Sequence, residues 1–328
     1  MQGYPLSYGA VRVHFEGSNA MNTVPYSGVR LLCPRCKADV GGLQCFYCQF
    51  QMEIHNGIVR ALPPERVAYY AKFIAEYDEP IRAAEGRGSE GAEFYLALPY
   101  KDTSGRNSQQ WEIRSRSYDF LIRHLLKPLC GRGSILDLGA GNCWMSFRLA
   151  LLGYGMVAVD LLINENDGLG AAEHFHKHLS IPISRFQAEA AHLPFRDEQF
   201  DVIIFNASFH YAEDYEAALS EALRCLKPGG RVIISDTPWY SREESGRQMV
   251  AERDAAFRQR FGSASDSLKS QEFLTDERLQ GLEDNCSIRW MIHRPWYGWR
   301  WALRPWIARL RGRREPSSFR MYVARKHA

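Results

Sequence analysis

The stretch "ILDLGAGNCW", residues 135–144, decides the fold. An apolar run ends in Asp137, and Gly139-Ala140-Gly141 follow at once. A dinucleotide fingerprint would need a third glycine where Cys143 or Trp144 stands, because a pyrophosphate requires close backbone approach at a helix N-terminus. A nucleoside ligand, which has no phosphate, has no such need. A glycine turn still suits it, since only glycine readily adopts the strained dihedrals of such a turn.

Working outward, "SILDL" predicts a buried strand, "WMSFRLALLG" a helix stopped at Gly153, and "MVAVD" a second strand. A helix is expected around "AAEHFHKHL", with His174 and His178 on a solvated face. The strand "ISRFQ", the strand "DVIIFN", the helix "DYEAALSEALRCL" and the strand "RVIISD" follow. Short apolar runs alternating with amphipathic helices indicate an α/β fold, a Rossmann-like parallel sheet covered on both faces. Ligands of such sheets bind beyond the carboxyl ends of the strands. A charged helix over 242–261 leads to two closing strands, "SIRWMIH" and "FRMYVARK".

Several features line up at the expected strand ends. Asp137 and Gly139-Ala140-Gly141 follow the first strand, and Asp160-Leu161 the second. Glu189-Ala190 follows the third strand, Asn206 ends the fourth, and "LKPGG" turns into the fifth. This arrangement resembles the class I S-adenosylmethionine-dependent methyltransferases, in particular the type 11 branch that includes quinone-biosynthesis and small-molecule enzymes. The resemblance covers about 134–236 and implies S-adenosyl-L-methionine as cofactor. It implies that the methionine end lies against Asp137, Gly139, Ala140 and Gly141. Asp160, with Leu161 beside it, is placed for the ribose hydroxyls, and Glu189-Ala190 for the adenine edge. Arg114, on a helix before the first strand, is a candidate for the methionine carboxylate.

Methyl transfer is an in-line displacement in which positioning supplies much of the rate. His210 and Tyr211, just beyond the fourth strand, sit where acceptors lie in this fold, with His210 as a candidate general base. Asn206 is expected to orient cofactor or loop backbone.

Upstream, "CPRCKADVGGLQCFYC" spaces Cys33, Cys36, Cys45 and Cys48 as two CxxC knuckles, the pattern of a closed tetrahedral structural zinc site. A zinc ribbon over 30–62 ahead of this core resembles the ribbon of large-subunit rRNA guanine methyltransferases. Residues 1–29 read as an N-terminal extension without fold signal, 63–126 as a helical linker or lid, and 127–328 as the methyltransferase domain. The cysteine module and the core are expected to have separate cores.

The chain of 328 residues carries a net charge of +3. From Cys286 onward there are eleven Lys/Arg against Glu315 alone, which leaves residues 1–285 at −7. Apolar runs are strand-sized and no secretory signal is visible, so a reducing, cytoplasmic setting is expected. The segment 295–318, "PWYGWRWALRPWIARLRGRREPSS", interleaves Trp with Arg and should emerge beside the ligand face. That mixture suits peripheral contact with a bilayer interface and also suits nucleic acid. The sequence therefore points to a methyltransferase acting on a small-molecule or lipid-linked acceptor. An rRNA base methyltransferase and a non-catalytic binding module stand as the alternatives.

Overall fold

The computed structural model describes residues 28–84, 90–262 and 267–326; most of the N-terminal extension therefore lies outside the described residues. A nine-stranded sheet runs through the molecule in the order β10-β11-β9-β8-β5-β6-β7-β4-β3. Its parallel centre consists of β5 (Ser134–Leu138), β6 (Gly155–Asp160), β7 (Ser184–Gln187), β8 (Phe200–Asn206) and β9 (Leu226–Ser235). β11 (Met321–Arg325) lies antiparallel to β9, and β10 (Met291–His293) antiparallel to β11. β10 thus points the same way as the central strands, and residues 294–318 leave it at their carboxyl end.

Strand side chains alternate between two cores. Leu136, Val157, Val159, Ile203 and Phe205 face one, while Ile135, Ala158, Val202, Ile204 and Ile233 face the other. That period of two, apolar on both sides, is what a sheet buried on both faces requires. Helix α4 (Trp144–Leu151) follows β5, and α5 (Tyr215–Cys225) follows β8. Asp214 caps α5 by accepting from the Glu216 and Ala217 amides, a contact worth about 1 kcal/mol. Before β5 come α1 (Pro64–Glu76), α2 (Ala92–Ala97) and α3 (Ser108–Phe120); after β9 come α6 (Glu243–Phe261) and α7 (Asp276–Cys286).

Two expectations are corrected. The segment around "AAEHFHKHL" forms 3-10 turns at Leu169–His174 and His176–His178 rather than an amphipathic helix. Gly168 and Gly170 pack with no room for a Cβ against backbone atoms of Leu162 and Asn164, and the half-buried His174 stacks on Tyr95 at 4.4 Å, while His178 is exposed as expected.

The cysteine module is also not a body with its own core. Its first hairpin, β1 (Val40–Gly41) and β2 (Gln44–Cys45), carries the knuckles, but its second, β3 (Glu53–His55) and β4 (Ile58–Arg60), joins the main sheet. β4 runs parallel to β7, pairing Ile58 with Arg185, Val59 with Phe186 and Arg60 with Gln187. Leu31, Val40, Met52 and Val59 of the module share one buried cluster with Leu136 and Phe186. An uncovered β7 would leave a row of backbone donors and acceptors unpaired, and the module satisfies them.

Candidate active site

The carboxyl ends of β5, β6, β8 and β9 open into one cleft with two lobes. One lobe, of about 350 Å³, is lined by Asp160, Leu161, Leu162, Glu189, Ala190 and Tyr70. The other, of about 340 Å³, is lined by Trp111, Arg114, Asn206, His210, Asp236 and Glu272 among others. Both lobes share Gly139, Gly141, Ala207 and Tyr211.

The glycine loop between the lobes is conformationally demanding. Gly139 has φ of 73° and Gly141 of 52°. A Cβ on Gly139 would lie 2.2 Å from the Ser208 side chain, so the loop packs this closely against Ser208 only because residue 139 has none. The Gly139 amide donates to Val159 O at 2.8 Å, and that of Gly141 to the Asp160 carboxylate at 2.8 Å. The other Asp160 oxygen accepts from the Leu162 amide at 2.8 Å. Asp160 therefore first ties its own loop to the glycine loop, and each oxygen keeps lone-pair capacity toward the lobe. Burial raises its pKa to about 6 despite these bonds.

Asp137 lies beneath the loop, fully buried. One oxygen accepts from Ser146 Oγ at 2.7 Å; the other, Oδ1, has no protein partner. Burial, opposed by the Ser146 bond, raises its pKa to about 7. An orphaned carboxylate oxygen in a cavity is costly unless a donor or cation meets it.

Glu189 lines the first lobe just past β7, and its carboxylate is engaged by α1. Its carboxylate takes Arg66 Nε at 2.8 Å, a second Arg66 nitrogen at 2.6 Å and the Tyr70 hydroxyl at 2.8 Å. Its pKa falls to about 2, because hydrogen bonds from His192, Arg66 and Tyr70 outweigh a large desolvation cost. The side chain is one methylene longer than aspartate and reaches α1, so it clamps that helix over the lobe. Ala190 keeps its place in the lining.

On the other side, His210 is half-buried, and its enclosed Nδ1 has no protein partner. Desolvation lowers its pKa to about 4, with Arg253 and Arg114 adding to the effect and Glu272 opposing it; the ring is neutral at pH 7. Tyr211 faces the Tyr77 ring edge-on at 6.2 Å. Asn206 lines the lobe, and the Arg114 guanidinium sits 4.7 Å over the Trp111 ring. Each strand-end residue expected at the site thus lines the cleft.

Asp236, one residue past β9, has no counterpart in the sequence reading. It lines the lobe, is buried with φ of 52°, accepts from Ser117 Oγ at 2.5 Å, and leaves Oδ2 without a hydrogen-bond partner. Desolvation lifts its pKa to about 6. "RVIISD" ends a strand in the same way as "SILDL" and "MVAVD", so the signal was present. Arg66, Tyr70 and Ser117 carry no such signal, because their roles come from helix docking.

The four cysteines converge, each Sγ within 4.8 Å of the others, and two pairs are 3.5 Å apart. Tetrahedral zinc with Zn–S near 2.3 Å sets sulfurs about 3.8 Å apart, so the donor set fits. Lys37 and Gln49, each just after the second cysteine of a knuckle, both adopt φ near 60°. The two knuckles are thus turned alike.

Residues 136–234 match the family described as methyltransferase domain. Fold, strand order and match make the core a class I methyltransferase domain. The chain is similar to the demethylmenaquinone methyltransferase of Mycobacterium marinum, 32% identical over 102 residues, which is 31% of this chain and 40% of that protein. It is similar to the enzyme of the same name from Streptomyces avermitilis, 35% identical over 103 residues, 31% of this chain and 41% of that protein. The chain spans less than half the length of these curated relatives. Among solved structures, a chain from the complex between the Haloferax volcanii Trm112 methyltransferase activator and a methyltransferase aligns with a TM-score of 0.47 and 16% identity. That alignment covers 73% of this chain and 100% of the other.

Proposed function

We propose that this protein transfers a methyl group from S-adenosyl-L-methionine to a hydrophobic small-molecule or lipid-linked acceptor of the quinone kind. The observation that carries the reading is the two-lobed cleft: a glycine-floored lobe with buried carboxylates, joined to a lobe walled by Trp111, Trp144, Phe94 and Met145. When bound, the cofactor supplies an electrophilic methyl on a cationic sulfur. Asp137 and Asp160 hold the cationic and hydroxyl-bearing parts, with Gly139, Ala140 and Gly141 as the floor and Leu161 and Ala190 as apolar walls. Arg114 and Asn206 orient the methionine end and the acceptor loop. In the second lobe, His210 Nδ1 accepts the proton or hydrogen bond of the acceptor hydroxyl, and Tyr211 packs at the boundary where the two ligands meet. The curated relatives named for demethylmenaquinone support an acceptor of that class.

An RNA acceptor is disfavoured by the ion pairs of the cysteine module. Arg35 pairs with Glu65 at 2.7 Å and Lys37 with Glu221, which leaves the module little charge for phosphates. The test is incubation with methyl-labelled cofactor and separate lipid and RNA fractions from cells. Label in the lipid-soluble fraction is expected; label confined to RNA would replace the reading. A structural zinc ion in the four-thiol cluster belongs to the same proposal, supported by the donor set and the knuckle geometry. Elemental analysis is expected to find one zinc per chain, and its absence from protein purified without chelator would remove it.

A further inference from the structure

The segment between β10 and β11 is held by one side only. The Tyr297 ring is buried and its hydroxyl lies 2.9 Å from Ser117 Oγ, the group that also donates to Asp236. Trp301 stacks on Phe319 with centroids 5.2 Å apart, and the Arg304 guanidinium covers its ring at 3.9 Å. Helices α8 (Trp299–Ala302) and α9 (Arg304–Leu310) meet at Leu303, which is itself in the right-handed helical region, so the spacing of a single helix carries through the joint.

The opposite side is bare. Trp299, Leu303, Trp306, Ile307 and Leu310 fall at i, i+4, i+7, i+8 and i+11, one stripe of a helix. Trp299 is 75% exposed, Trp306 68% and Leu310 86%. A stripe of large apolar side chains is thus left in water. Arg300, Arg309, Arg311 and Arg313 flank it, and none meets a carboxylate among the described residues. At its margin the stripe meets a hollow lined by Tyr240, Ala308 and the half-exposed Ile307, which shares Pro238 and Met249 with the acceptor lobe.

We propose that this stripe is a docking face for an anionic bilayer surface, seating the mouth of the acceptor lobe against lipid. Trp rings favour the headgroup level, Leu and Ile the acyl boundary just below it, and arginine the anionic headgroups. The aliphatic members decide between partners: single-stranded nucleic acid stacks on aromatic rings and gains nothing from Leu303, Ile307 and Leu310. The charge distribution agrees. A body at −7 over residues 1–285 would repel a polyanion laid across it, whereas a bilayer meets only the basic segment. The inference goes beyond the proposed reaction and does not depend on it.

The experiment is sedimentation of the full chain, without methyl donor or acceptor, with vesicles of phosphatidylcholine alone or mixed equally with phosphatidylglycerol. The wild type is expected to pellet with the mixed vesicles and much less with neutral ones. The variant Trp299→Ser/Leu303→Ser/Trp306→Ser changes only side chains that face solvent or are half exposed. It is expected to lose vesicle affinity tenfold or more while keeping the wild-type thermal midpoint and donor affinity. A second variant, Arg300→Gln/Arg309→Gln/Arg311→Gln/Arg313→Gln, should lose the preference for phosphatidylglycerol. Wild-type protein that ignores both vesicle types, or a serine variant that binds as well as wild type, overturns the proposal. So does binding of structured RNA through the same residues without vesicle binding. Because no methyl transfer is measured, a failed acceptor assignment leaves the docking result readable.

Discussion

Asp137 and Asp236 are buried and Asp160 half-buried at the strand ends of the cleft, and desolvation lifts Asp137 to about 7 and both Asp160 and Asp236 to about 6. Folded-state values above the unfolded ones mean that these groups favour folding below about pH 4, and that this contribution is lost as pH rises through 6 to 7. The same ionisation creates the negative charge that a cationic donor needs. Donor affinity measured calorimetrically is therefore expected to rise between pH 5.5 and 7.5, about tenfold for each carboxylate that must lose its proton per pH unit below its pKa. Asp137→Asn should remove the upper part of that rise, and an unchanged profile would take Asp137 out of the binding site. Asp160→Ala is expected to weaken the donor tenfold or more, since bonds to a charged acceptor are worth about 1.5–3 kcal/mol. Asp160→Asn, which keeps one acceptor for the loop amides, should lose less. At this scale the sequence was most legible where chemistry follows strand ends: Gly139, Asp160, Asn206 and His210 all stand where counting from the apolar runs put them. The grip of Arg66 on Glu189 was not legible, because the two lie 123 positions apart and no local pattern announces such a contact.

Among the elements, the hairpin β3–β4 matters most. Composition and CxxC spacing marked the module, but not its junction: "GIVRAL" is a short apolar run that reads equally as a ribbon strand or a sheet edge. Only the unpaired side of β7 decides between them. Separate cores would let Cys36→Ser leave donor binding mostly intact, and the β4–β7 pairing predicts the opposite. Loosening the knuckles should fray β4, free β7 and slacken the adjoining α1 clamp on Glu189. Hydrogen exchange is expected to show lost protection at amides of both 58–60 and 184–187 in Cys36→Ser, with donor affinity reduced. Full protection of 184–187 in that variant would mean that the knuckles do not support the sheet. The α1 clamp is testable on its own. Arg66→Ala leaves the buried Glu189 carboxylate with only Tyr70 and His192, and should lower the thermal midpoint by several degrees, the cost of breaking a mostly buried pair.

Across the whole molecule, no described helix is long and apolar enough to cross a membrane, and the charge is divided between an acidic body and a basic insertion. The parallel core was legible because alternating strands and helices require parallel strands joined by crossovers. The far edge was not, because it is built from the start of the chain. That arrangement has a consequence in time. Arg60 and its neighbour Gln187 lie 127 positions apart. At a synthesis rate of about 5–20 residues per second, β4 leaves the ribosome roughly 6–25 s before the strand it will pair with. For that interval the thiol cluster is what can keep the hairpin from finding another partner. Metal loading would then act as a birth-time safeguard, and newly made chains in zinc-starved cells should be the ones that chaperones retain.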